Sequence, residues 1–370
     1  MAMGAAAFGG WGLLLPVVPL AVSVGGGSDA VAGASTAIFM ATTVLTQLFV
    51  PRLLVRFGHR SVLAAGCILL GLPAAFFVLS VSTGPALSVS AVRGVGFGML
   101  TVAGAALVAE LAPHGQLGRA TGAQGIAVAL AQMVTLPAGL ALYAVSPTAV
   151  FVVGAVVPMV GLIAIAFLPP VRPAAPVARP AAENRTTARG FVVPCLAIAA
   201  ASASFGGLSS LLPIAEPGRE SLIGVALAVI SGSMLVGRYG AGAVADRIGI
   251  GRALAPALLF VAGGVGLFAF AVAGMHAGFV FLAAAAVFGV GYGATQNDSL
   301  VMAFDVAGPE RYSQASAAWN IGFDAGTGAG ALSLGLVVGT VGYSGGFAMA
   351  AVVALVMAAA VALFRLLGDR

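Results

Sequence analysis

The feature that most constrains this chain is its rhythm. Long apolar runs of about twenty residues follow one another from end to end, separated by short punctuation rich in Gly, Pro and Arg. An α-helix rises 1.5 Å per residue, so about 20 apolar residues cross the ~30 Å hydrocarbon core of a bilayer. Twelve such runs fall at 4–24, 31–51, 61–82, 84–110, 119–142, 147–168, 190–212, 221–242, 250–272, 277–304, 311–338 and 343–366. They are continuous rather than alternating, which excludes the strands of a membrane barrel. With 61% hydrophobic and 7% charged residues and a mean hydropathy of +1.11, the chain is far from a soluble composition. The sequence therefore predicts an all-α membrane protein of twelve crossings. The first run has no basic residue ahead of it and is followed directly by more runs, so it reads as a retained helix and not a cleaved signal peptide.

The runs repeat. Arg56 and Gly58, between runs 2 and 3, return 191 residues later as Arg247 and Gly249, between runs 8 and 9. Gly94, Gly96 and Gly98 in run 4 return as Gly289, Gly291 and Gly293 in run 10 at an offset of 195, which also carries Glu110 to Asp305. Gln47 and Arg238 share the 191 offset. Two similar six-helix halves are expected, 1–168 and 190–370, an arrangement that duplicated membrane bundles adopt. Residues 169–189, rich in Pro, Ala and Arg, read as the flexible linker between them.

Charge sets orientation. All sixteen basic residues are Arg. Thirteen lie after even-numbered runs or in the C-terminal tail, and the opposite side has Arg219 beside Glu216 and Glu220. Cytoplasmic loops collect positive charge, so both termini should face the cytoplasm of a bacterial plasma membrane. The formal charge of +5 does not indicate nucleic acid, because no polar domain carries a basic patch. Asn184-Arg185-Thr186 has the form of a glycosylation site but falls on the cytoplasmic side. Cys67 and Cys195 lie inside apolar runs as small core residues. His59, His114 and His276 are scattered, and there is no metal cluster, nucleotide loop or nucleophile triad. Neither an enzyme nor a cofactor or metal is expected. The Gly-x-Gly pairs at 94–96 and 289–291 lie within apolar helices rather than after a strand, so they read as packing seams, as does Gly322-x3-Gly326-x3-Gly330.

The stretch Gly242-Ala243-Val244-Ala245-Asp246-Arg247-Ile248-Gly249-Ile250-Gly251-Arg252 resembles the signature loop of the major facilitator superfamily, Gly-x-Leu-Ala-Asp-Arg-x-Gly-Arg-Lys. It matches at Gly242, Asp246, Arg247 and Gly249, with Val244 at the Leu place and Arg252 as a late basic residue. The first-half copy keeps Arg56, Gly58 and Arg60 but has Pro51 for the Gly and Val55 for the Asp. The resemblance implies two six-helix bundles that rock about a central site, with this loop as a gate. It also implies that the acid faces a helix N-terminus in the other half, here Asp246 against the start of helix 5 near Gly118 and Arg119, where unpaired N–H groups favour a carboxylate. Val55 cannot accept hydrogen bonds, so the pseudo-equivalent latch onto helix 11 should be weaker or built otherwise.

Polar groups inside the runs mark the site. Arg93 lies about nine residues into run 4, roughly 14 Å deep, where a charge costs about 2.5–3.5 kcal/mol on insertion scales. The family often has an Arg in helix 4, followed by Gln and Gly and linked to proton coupling. This chain keeps the Arg and the glycines without the Gln. Asp324, about 13 residues into run 11, is the matching acid and the expected proton carrier, with Asn320 and Thr327 on the same helix face. In the family, helices 1, 4, 7 and 10 line the cavity, which makes Gln296 and Asn297 expected substrate contacts. Gln47, Gln124 and Gln132 are expected to join helices, and Glu110 and Asp305 to act at the inner gate. The resemblance implies a monomeric secondary transporter of a small organic molecule, working as a proton-coupled efflux antiporter. Two alternatives stay open: proton-coupled uptake of an organic anion whose carboxylate Arg93 would hold, and a non-transporting membrane receptor.

Overall fold

The computed structural model describes residues 2–111, 117–168, 190–274, 277–308 and 311–368, and among them every long element is a helix. Crossing 1 comprises Ala2–Leu14 and Val17–Val24, broken where Pro16 and Pro19 lack the N–H that would continue the ladder. Crossing 2 is Asp29–Gln47, started by the Ser28 hydroxyl, which accepts from the Val31 N–H. Val50–Gly71 and the 3-10 stretch Leu72–Val78 follow. Crossings 4 to 6 are Thr83–Leu111, Leu117–Val145 and Pro147–Ala166. Crossings 7 to 10 are Val192–Ala215, Glu220–Ile248, Leu254–Val272 and Gly278–Ala307.

The last apolar stretch, Gln314–Leu366, is 53 residues long. As one helix it would reach about 80 Å, far more than a bilayer holds. Gly342, at φ 73° and ψ 169°, divides it into crossings 11 and 12. Among the described residues there are thus twelve helical segments long and apolar enough to cross a bilayer, as the apolar runs predict.

One expectation is corrected. The segment 242–252 is not wholly a loop, because crossing 8 stays helical to Ile248 and holds Gly242, Asp246 and Arg247 on its last turns. Hydropathy finds the edge of the membrane. The Ala-rich approach to Asp246 favours helix, so the helix continues past that edge, and the reversal is compressed into residues after Ile248. Gly249 sits at φ 107° and ψ 157°, and Gly58 at φ 74° and ψ 166°, conformations that only glycine adopts without strain. The 191-residue echo is therefore an echo of backbone shape.

The glycine seams carry the same symmetry. Gly94 and Gly98 lie against the carbonyls of Phe39 and Thr43 in crossing 2, and Gly96 against that of Gly66 in crossing 3. Gly289 and Gly293 lie against the carbonyls of Ile230 and Met234 in crossing 8, and Gly291 against that of Ala257 in crossing 9. The glycines shift by 195 and their partners by 191. Gly322, Gly326 and Gly330 of crossing 11 meet successive carbonyls of crossing 7 at Cys195, Ala199 and Ala203. Lipid tails are as apolar as leucine, so helices in a bilayer adhere by such close approach rather than by expelling water.

The halves meet along two long seams, crossing 2 with crossing 11 and crossing 5 with crossing 8, and at a third contact between Val17–Val24 and crossing 7. That third contact closes the end away from the arginine-rich loops, where Thr36 and Ser210 hydroxyls lie 3.0 Å apart. Among the described residues, crossings 4 and 10 do not form an extended contact.

Candidate functional site

Three polar groups lie within the membrane layer. The first is in the seam of crossings 2 and 11. The Gln47 amide donates to an Asp324 carboxylate oxygen at 2.6 Å and to the Thr101 hydroxyl at 3.2 Å. Asp324 is 2% exposed, and among the described residues no cation forms an ion pair with it. A buried acid is therefore held by one neutral amide from the opposite half. Asn320 and Thr327 share its helix face but turn back on their own helix, donating to the carbonyls of Ser316 (2.8 Å) and Phe323 (2.9 Å).

The second group lies between crossings 8 and 10. Arg238 donates to Gln296 Oε1 through Nε at 3.1 Å and again through Nη2, and it reaches the Gly125 position of crossing 5. Gln296 is thus occupied by a cation. Tyr292 places its hydroxyl 3.4 Å from that of Ser202. It stacks on Phe205 at 5.1 Å, Phe288 at 5.5 Å and Phe323 at 6.3 Å. Sequence reasoning placed Arg238 only by its alignment with Gln47, and it missed Tyr292, whose run of apolar neighbours hides it.

The third group is Arg93, in the first bundle. Among the described residues no hydrogen bond or ion pair joins it to Asp324. Its guanidinium donates to the carbonyls of Leu70 (3.1 Å) and Gly10 (3.4 Å) and lies over the rings of Phe39 (5.6 Å) and Phe77 (5.9 Å). Carbonyls and ring faces stabilise a cation in such a place.

At the arginine-rich end, the acid that meets a helix N-terminus is Asp298. It accepts from the Gly251 N–H at 3.0 Å, just ahead of crossing 9, and Arg365 donates to the Gly251 carbonyl at 3.0 Å. This contact is internal to the second bundle. Asn297 faces Gly242. Asp246, Arg247 and Gly249 are exposed, and Asp246 has no bond among the described residues. The expected latch partner, Arg119, has its side chain outside the described residues. Arg60 donates to the Leu168 carbonyl at the end of crossing 6, Arg56 lies 5.2 Å over Phe57, and Arg252 stays exposed beside Gly249. His59 meets Glu110 at 3.7 Å, a pairing the scattered histidines did not suggest.

Two six-helix bundles related by an internal repeat, with a buried acid in the seam between them, define a class: a multi-pass, two-bundle membrane protein. The chain belongs to the Major Facilitator Superfamily, whose family model matches residues 1–320. Its fold is shared with a D-xylose-proton symporter (TM-score 0.77, 13% identity, 97% of this chain and 95% of that one). It is also shared with a bacterial homolog to the human lysosomal transporter Spinster, in an inward-facing and occupied conformation (0.76, 14%, 100% and 95%). The nucleoside transporter NupG is similar as well (0.73, 12%, 98% and 96%). At these identities the likeness concerns the fold. Compared with curated proteins, the sequence matches none.

Proposed function

We propose that the protein is a secondary transporter that moves a small organic molecule by alternating access and exports it in exchange for protons. The observation that carries this reading is the Gln47–Asp324 bond across the two bundles. An ionised carboxylate in the membrane layer is costly unless partnered. Any rocking of the bundles changes the distance from Gln47 to Asp324, so gaining or losing a proton there biases one arrangement over the other. Crossings 2 and 11 meet at Gly33, Gly328 and Gly335, a smooth surface over which such a shift needs no side-chain repacking.

In this reading Asp324 carries the proton, while Arg93, Asn320, Gln296 and Asn297 face the substrate path. Gly242, Asp246, Arg247, Gly249 and Arg252, with Arg56, Gly58, Arg60 and Arg119, gate the arginine-rich end, which faces the cytoplasm. Residues 1–168 and 190–370 act as the moving bodies, and the working unit is one chain in the plasma membrane. Asp324→Asn should abolish transport driven by an imposed pH gradient in proteoliposomes while the protein still inserts and exchanges substrate. Gradient-driven transport at the wild-type rate would overturn the assignment. Deleting the protein should raise cellular accumulation of its substrate, and a fall would favour uptake.

A further inference from the structure

A cleft inside the first bundle, walled by crossings 1, 2 and 4, holds hydrogen-bond donors with nothing to donate to. Trp11, 2% exposed, lines it with its indole N–H buried and unpartnered. An indole nitrogen can only donate. The ring is fixed by stacking on Phe97 at 5.4 Å, so the N–H cannot turn away to find a carbonyl. Arg93 lines the same cleft, 3% exposed. Of the five N–H groups of a guanidinium, two are taken by Leu70 and Gly10, which leaves three. Ser90, also on the wall, has no hydrogen-bond partner among the described residues.

No acid lines the cleft. A buried cation without an anion and a buried donor without an acceptor are both destabilising, and a single ligand group would relieve both. That group must accept only, carry negative charge and be small, because the free space holds little more than a water molecule. We infer that the Trp11–Arg93 cleft is a subsite for the carboxylate of an anionic substrate, whose body lies in the cavity between the bundles. Thr36, on the same wall, is bonded to Ser210 of crossing 7, so the subsite abuts the closed end where the bundles meet.

The inference rests on the transport reading for its purpose, but its test is a binding measurement without a proton gradient, so the two fail separately. The chain has two tryptophans, and Trp319→Phe leaves Trp11 as the reporter at the subsite. Acetate, benzoate and octanoate are titrated against acetamide, benzamide and octanamide at constant ionic strength in sulfate, following Trp11 fluorescence in detergent. At least one acid should give a saturable change that its amide does not. Trp11→Phe in the native background, followed by thermal shift, should weaken binding of that acid roughly tenfold or more, as loss of a hydrogen bond to a charged group does. Arg93→Lys should fall between wild type and Arg93→Gln. Amides that bind as well as acids, a series with no acid response, chloride that reproduces the response, or a Trp11→Phe protein that binds the acid like wild type would each overturn the inference.

Discussion

The two long seams between the bundles occupy equivalent places in the duplicated frame, yet they are built differently. Where crossings 2 and 11 meet, Gly33, Gly328 and Gly335 let backbone approach backbone, and the polar link is the neutral-to-acid bond of Gln47 and Asp324. Where crossings 5 and 8 meet, Gly224 packs beside Pro137, a β-carbon added at Gly232 would sit 3.6 Å from the Met133 sulfur, and the polar group is Arg238, turned toward Gln296. Gln47 and Arg238 are the same position in the two repeats. Duplication thus preserved the helix surfaces while the chemistry diverged, leaving one seam with an acid and the other with a cation.

The comparison can be broken most sharply at its tightest point. Gly33→Leu drives a side chain into the Ala331 backbone and should cost about 1–3 kcal/mol or more, read as a fall of several degrees in thermal unfolding. Gly232→Ala on the other seam enters ordinary contact distance and should leave the midpoint within about 0.5 kcal/mol of wild type. Equal losses would show that the two seams pack alike. Next in size, Arg238→Gln removes charge-assisted bonds to Gln296 worth about 1.5–3 kcal/mol and should lower transport at least tenfold in proteoliposomes, with Arg238→Lys intermediate. Gln47→Leu leaves the Asp324 carboxylate without its amide. It should cost about 1–3 kcal/mol in stability in the wild-type background and far less in Asp324→Asn, which a double-mutant cycle measures. The smallest effect is at the paired elbows: Gly58→Ala and Gly249→Ala force a β-carbon into positive φ and should each cost about 1–2 kcal/mol. Unequal costs would mean that the echo in backbone shape is not an echo in energy.

Much of the frame was legible because bilayer physics writes it in a simple code. Run length gives the crossings, and glycine spacing gives the seams, down to Gly322, Gly326 and Gly330. The end of crossing 8 was not legible, because hydropathy registers the membrane edge and Asp246 lies beyond it on a helix that continues. The partners of the buried charges were hidden for a different reason. Arg93 and Asp324 sit at similar depths, but depth does not say which bundle a group faces, and the pairing of crossing 2 with 11 is set by interlacing of the halves. Asp298 is a neighbour of Gln296 and Asn297 in the sequence, and its bond to Gly251 joins positions 47 residues apart. Trp11 carried no sequence signal, since an unpartnered donor exists only once its neighbours are placed.

The closed end also has a thermodynamic meaning. It is fastened by hydroxyls, Thr36 to Ser210 at 3.0 Å and Tyr343 to the Asp29 carboxylate at 2.7 Å, worth net about 0.5–1.5 kcal/mol for the neutral bond and about 1.5–3 kcal/mol for a bond to a charged group. If the bundles rock as proposed, these two bonds add little to the cost of opening that end. With no cation in either bond, its grip should be indifferent to ionic strength.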